Sequence, residues 1–164
     1  MTNNRPALHS GGCQCGAVRY ALYAEPFDTH VCHCRMCQKA FGSLYAPLTK
    51  IAYADFEWTR GKPDMFASSA DVERGFCGAC GTPLTYAHLK SDYINFALGS
   101  LDRPEAVRPE VQIGIESRVA WAADIAALRE QTTEDILSPD RLARAKSFQH
   151  PDHDTEIWPP ERSR

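Results

Sequence analysis

The sequence predicts a mainly β domain organised by metal-binding cysteines and followed by a partly helical extension. Three observations carry this expectation. Short runs of alternating apolar residues, separated by Gly and Pro, fill most of the chain up to Trp121. All seven cysteines fall before residue 81, in three tight groups. Beyond Trp121 the chain turns to helix formers and then to a charged, proline-containing end.

The elements follow in order. "AVRYALY" (17–23) alternates Val18, Tyr20 and Leu22 against Ala17, Arg19 and Ala21, the period-2 pattern of a half-buried strand. "RMCQKAFG" suggests a short helix ending at Gly42. "SLYAPL" (43–48), "FEWTRG" (56–61), "DMFAS" (64–68) and "VERGFC" (72–77) read as strands or their ends. "PLTYAH" (83–88), "YINFALGSL" (93–101) and "EVQIGI" (110–115) continue the series. Turn residues punctuate them at "RGKPD", "CGTP" and "DRPE". "AADIAALREQ" (122–131) reads as helix, and "SPDRLARAK" (138–146) as a second one with a Ser cap and Pro at its first position. "HPDHDTEIWPPERSR" reads as an extended tail. The expected division is a zinc-binding β domain over residues 8–121 and an extension over 122–164.

Composition narrows the function classes. The 164 residues suit one domain with a real core, and 43% hydrophobic with 24% charged residues is ordinary for a globular chain. A formal charge of −3, with no Lys/Arg stripe, leaves no electrostatic footprint for nucleic acid or an anionic membrane. The start "MTNNRPALHSGG" is polar, and nothing approaches the roughly 20 apolar residues of a membrane span. The expected location is the cytoplasm, where thiols stay reduced. The oligomeric state is left open, a homodimer included.

An odd cysteine count argues against a closed disulfide framework. Cys13 and Cys15 ("CQC"), Cys32, Cys34 and Cys37 ("CHCRMC") and Cys77 and Cys80 ("CGAC") cluster as metal ligands do, because short turns must bring several thiolates to about 2.3 Å from one ion. Zinc is the default for all-thiolate sites without an iron–sulfur spacing. A structural zinc takes four protein ligands and a catalytic one three, so four plus three uses every cysteine. The natural split pairs Cys13 and Cys15 with Cys77 and Cys80, each pair ending in a Gly that lets the backbone turn, at Gly16 and Gly81. Cys32, Cys34 and Cys37 then form a second site. Other sortings stay open: Cys32 and Cys34 with Cys77 and Cys80, or a triad completed by His30, His33 or His88. An open three-thiolate zinc is a weak activator of water and a good acceptor of a further thiolate, which favours a thiol-bearing small molecule over hydrolysis.

At these residues the chain resembles the glutathione-dependent formaldehyde-activating enzyme family (the GFA, or centromere-protein-V-like, domain). The matching pieces are "GGCQCGAVRY" (11–20), "CHCRMCQKAFGS" (32–43), "ERGFCGACGTPL" (73–84), "LGSLDRPE" and "ESRVAW", in order over roughly residues 10 to 121. The resemblance implies a β-tent fold, small coiled antiparallel sheets held by zinc. It implies two zincs per chain: a structural one on Cys13, Cys15, Cys77 and Cys80, and an exchangeable, catalytic one on Cys32, Cys34 and Cys37. It implies glutathione as cosubstrate and a carbon–sulfur lyase reaction run in reverse, glutathione and formaldehyde giving S-hydroxymethylglutathione. The implied partners are therefore a small thiol and its aldehyde adduct. Arg35, Lys39 and Arg74, beside motif cysteines, are candidates to hold glutathione carboxylates. Ser68 and Ser69 fit a turn, and Phe41, Tyr45 and Phe66 are expected in the core. The rival functions are a non-catalytic zinc-stabilised binding module and a thiol redox or metal-buffering protein.

Overall fold

A computed structural model describes residues 5–158. β1 (His9–Gly12), β2 (Arg19–Leu22) and β5 (Phe56–Arg60) form a three-stranded antiparallel sheet in the order β1-β2-β5. The larger sheet holds β3 (Phe27–Cys32), β4 (Ala46–Ala52), β6 (Asp64–Ser69), β7 (Val72–Phe76), β8 (Pro83–His88), β9 (Tyr93–Ala97) and β10 (Val111–Ile113). Its order is β10-β3-β4-β9-β8-β7-β6. Helix α1 (Arg35–Phe41) joins β3 to β4 and ends at Gly42, as its sequence predicts. The fold is thus mainly β, with two sheets, few helices and thiol clusters suited to zinc.

The period-2 alternation of the large sheet gives its two faces different work. On β4, Ile51 enters the main core while Leu48 and Lys50 line a cavity on the opposite side. On β9, Ile94 and Phe96 enter the core while Tyr93 and Asn95 line that same cavity. The small sheet closes the core: the Tyr20 ring lies 4.2 Å from Phe96, and Trp58 5.6 Å from it. Full burial of each such side chain stabilises by roughly 1.5–3 kcal/mol.

Several details differ from the sequence reading. All of β2 is buried, because Arg19, expected on a wet face, is only 2% exposed and donates to Asp102 at 2.7 and 2.6 Å and to Asp154 at 2.7 Å. β10 pairs with β3 in parallel, the exception to antiparallel pairing. β1 and β3 are strands that composition hides, one being half Gly and the other carrying Asp, Thr and His. Ala120–Ala127 is 3₁₀ rather than α-helical. The expected helix over 138–146 is α3 (Pro139–Arg144), with Ser138 at the cap position but no side-chain capping bond. A further short helix, α2 (Thr133–Ile136), has a capping box from Thr132 and Asp135.

Residues 150–158 are not a free tail. They form no helix or strand, yet they dock on the early cysteine turn. His150 donates its backbone N–H to the Gln14 carbonyl at 2.8 Å and is itself buried. Arg60 donates to the Thr155 carbonyl, and the Trp158 indole donates to the carbonyl of Cys15. Residues 159–164 of the expected tail lie outside the described residues. No described helix is long and apolar enough to cross a membrane.

Candidate functional site

Two groups of thiols converge. The sulfurs of Cys13, Cys15, Cys77 and Cys80 all lie within 4.8 Å of one another. Two tight turns deliver them: Gly16 N–H donates to Cys13 O at 3.0 Å, and Gly81 N–H donates to Cys77 O at 2.7 Å. Gly16 and Gly81 have φ of 74° and 77°, the left-handed region that a side chain would strain. Cys13 Sγ is 3.6 Å from Cys15 Sγ, which is 3.7 Å from Cys77 Sγ. A tetrahedron of sulfurs at about 2.3 Å from zinc has edges of about 3.8 Å, so the donor set fits the ion in chemistry and in size. Burial pushes the Cys13, Cys15 and Cys77 thiols up. Burial acts the same way on Cys80, but hydrogen bonding to Thr82, 3.1 Å away, outweighs it and brings the thiol to about 6. A divalent cation reverses such resistance to ionisation.

The second group is Cys32, Cys34 and Cys37, again with sulfurs within 4.8 Å. Its compactness has a local cause. Cys32 ends β3, Cys34 is the N-cap of α1, and Cys37 lies in the first helical turn, its N–H donating to Cys34 Sγ at 3.4 Å. The buried Gln38 clamps this turn, donating to His33 O at 2.8 Å and to Ser117 O at 2.9 Å. The Cys32 thiol is pushed up by its contact with Cys37 and by burial. Cys37 is lowered to about 5 by the Cys32 hydrogen bond, with Arg74 Nη2 also donating to its sulfur at 3.4 Å.

No histidine belongs to either sulfur group among the described residues. His30 Nδ1 faces its neighbouring Asp28 carbonyl at 2.7 Å, and His33 Nε2 faces Gln112 Oε1 at 2.9 Å. His88 Nδ1 accepts from Lys90 N–H at 3.3 Å. The mixed grouping of Cys32 and Cys34 with Cys77 and Cys80 does not occur.

The triad opens on a cavity of about 620 Å³ whose walls include Lys50, Arg74, Tyr86, His88, Tyr93 and Asn95. Lys50 lies 4.5 Å above the Tyr93 ring and Arg74 4.9 Å above Tyr86. Of the three candidate carboxylate holders, only Arg74 lines this cavity; Arg35 and Lys39 line a neighbouring one, also about 620 Å³, between α1 and the β6–β8 strands. Ser68 accepts from Arg74 Nε at 3.0 Å, a role beyond turn formation. Phe41 packs on the triad's apolar cluster, but Phe66 is 61% exposed at the rim of the neighbouring cavity rather than in the core. Gln38, Lys50, Tyr86 and Asn95 are absent from the sequence-based candidates. The alternation of β4 and β9 puts Lys50 and Asn95 on the face opposite the core, and Tyr86 joins them because a register shift separates it from the core residue Leu84; only the sheet order shows that this face meets the triad.

Known proteins give the arrangement its context. A crystal structure of a Rhodobacter sphaeroides protein is similar at 23% identity and a TM-score of 0.49, over 63% of this chain and 97% of that one. The family model described as glutathione-dependent formaldehyde-activating enzyme matches residues 8–117, the greater part of the chain, with both thiol groups inside the match. The chain therefore belongs to the glutathione-dependent formaldehyde-activating enzyme family.

Proposed function

We propose that this chain is a zinc-dependent enzyme of the carbon–sulfur lyase type. It acts on adducts of glutathione, or a similar thiol, with small aldehydes such as formaldehyde, in the cytoplasm, and its β domain spans residues 8–121. The observation that carries the reading is the contrast between the thiol groups. Four sulfurs from two distant turns gather at the edge of the main core, whereas three from one short segment face a cavity and, among the described residues, no fourth His, Cys, Asp or Glu donor lies within 4.8 Å of all three. Cys13, Cys15, Cys77 and Cys80 would hold a structural zinc, and Cys32, Cys34 and Cys37 a catalytic one. Bound at the triad, zinc would supply a Lewis-acidic centre that accepts a thiol and keeps it deprotonated.

The chain's own residues do the remainder. Gln38 and the Cys34 cap hold the triad in one arrangement, so little reorganisation accompanies binding. Buried Leu48 gives the cavity an apolar floor, with the exposed Val111 and Ile113 at its rim. Arg74 and Lys50 are the cavity's two cations; Lys50 is paired with Asp28 at 3.0 Å, and Glu110 lines the same cavity, which leaves Arg74 as the cation beside the triad. The cavity lies within the roughly 300–1,000 Å³ range of small-molecule sites.

The test is magnetisation-exchange NMR on an equilibrium mixture of glutathione and formaldehyde with the zinc-loaded protein. Adduct formation and breakdown should accelerate with the native protein and not with Cys37→Ala. No acceleration by native protein carrying two zincs would leave the binding-module reading in its place.

A further inference from the structure

We infer that Arg74 is a catalytic residue that recognises the oxygen on the carbon attached to the thiol, and so selects oxygen-bearing carbon–sulfur adducts. The inference rests on the thiol-site reading above and adds the group that addresses the electrophile.

Arg74 is 6% exposed, and no carboxylate pairs with it among the described residues. A buried cation without a carboxylate is costly, so its other partners matter. Nε donates to Ser68 Oγ at 3.0 Å, and Nη2 donates to Cys37 Sγ at 3.4 Å. The guanidinium plane lies over Tyr86. Nη1 is buried with no hydrogen-bond partner. Three contacts therefore fix the plane and leave one N–H edge unused, in a residue that lines both the triad's cavity and its neighbour.

The position of that edge selects the chemistry. Nη1 shares a rigid planar fork with the nitrogen that contacts Cys37, so it lies beside the triad rather than at a distance from it. A thiol carried at the triad has its electrophilic carbon one bond from sulfur and the oxygen two bonds away. When a thiolate adds to an aldehyde, the carbon–sulfur bond forms and the carbonyl π pair moves onto oxygen. Solvent then supplies the proton that completes the hydroxyl, and the reverse reaction returns it. An N–H held in place beforehand and aimed at that oxygen stabilises the charge as it develops. Ser68 and Tyr86 act through Arg74 and are positioning residues.

The experiment uses cobalt(II)-substituted protein and two small thiols, ethanethiol and 2-mercaptoethanol; the second carries a hydroxyl three bonds from sulfur, one more than in the adduct, and its gauche rotamer folds that oxygen back toward the place the adduct oxygen takes. Thiol binding at the triad is read from the visible sulfur-to-cobalt charge-transfer band, without turnover. Native protein should bind 2-mercaptoethanol at least about five-fold more tightly, in keeping with a hydrogen bond from a charged donor. Arg74→Met should equalise the two thiols while still binding both, and Arg74→Lys should keep part of the preference. Equal affinities in the native protein, a measurement that needs no variant, overturn the assignment. So does a preference that survives in Arg74→Met. If neither thiol perturbs the spectrum, the thiol-site reading falls and this inference with it, whereas binding without discrimination removes only the role of Arg74.

Discussion

Replacing one cysteine in each group tests the proposal that one metal holds the fold and the other serves chemistry. In the first group, contact between Cys15 and Cys77 spans 62 positions of sequence. By the chain-entropy relation used for cross-links, closing a loop of that length stabilises by about 4 kcal/mol, before the metal's own binding free energy is added. A whole domain of this kind has about 5–15 kcal/mol in hand, so Cys80→Ala should unfold the protein. The triad spans only residues 32–37, for which the same relation gives about 2 kcal/mol. That segment is also held by β3–β4 pairing, by the Cys34 cap and by Gln38. Cys37→Ala should therefore remain folded and carry about one zinc per chain, a contrast to be read by circular dichroism, thermal melting and elemental analysis of protein expressed with zinc. Equal unfolding of both variants would make the triad structural. Two tightly held zincs in Cys37→Ala would refute the assignment of its sulfur.

Two further outcomes follow. Burial pushes the Asp102 carboxyl up, but hydrogen bonds from Arg19 and Ser10 outweigh this and hold it below its ordinary range. A depressed folded value contributes stability that is complete above the unfolded value of about 3.9 and fades as pH falls through the folded one. Asp102→Asn should cost about 3 kcal/mol near neutrality, with the gap to native protein narrowing below about pH 4 in urea titrations, and a gap that stays constant would contradict the pairing. Gly16→Ala combines left-handed strain with a clash on His150 and Trp158. It should lower the melting temperature by about 2–8 °C, for a cost of about 1–2 kcal/mol. Cutting the chain after Lys146 should shrink that penalty, and an undiminished penalty would mean that the docked end contributes nothing.

What was legible in the sequence was whatever is decided locally. The thiol groups announce themselves because short turns have to deliver them, and the strand at 83–88 is read with its exact bounds because the "CGTP" turn marks its start. The Thr132–Asp135 capping box went unread, although the spacing in "TTED" marks a helix start. The rest depends on partners far along the chain. Arg19 is buried because Asp102 and Asp154 lie 83 and 135 positions away, a pairing no period-2 pattern encodes. The last segment reads as a free end by composition, yet its few polar anchors meet the backbone of the Cys13–Gly16 turn. Arg74 looks like any charged strand residue until Ser68, Tyr86 and Cys37 surround it.

The placement of Arg74 also links the two thiol groups through one strand. Arg74 belongs to β7, and three residues later the same strand runs into the turn that carries Cys77 and Cys80. β7 is paired on both sides, by β6 and β8, with one register shift against β8 between Gly75 and Phe76, so Arg74 lies in the regularly paired stretch opposite Tyr86. A one-residue slip of β7 would turn Arg74 away from the triad, because side-chain direction alternates at every residue. Thr85, whose hydroxyl accepts the Gly75 N–H at 3.1 Å, fixes the strand between the two sites. The group of four cysteines thus does more than tie the small sheet to the large one. It pins the end of the strand whose middle addresses the triad. A metal held there would fix the end of β7 that leads to Arg74, whereas one held by Cys32, Cys34 and Cys37 would bridge only a single turn of chain.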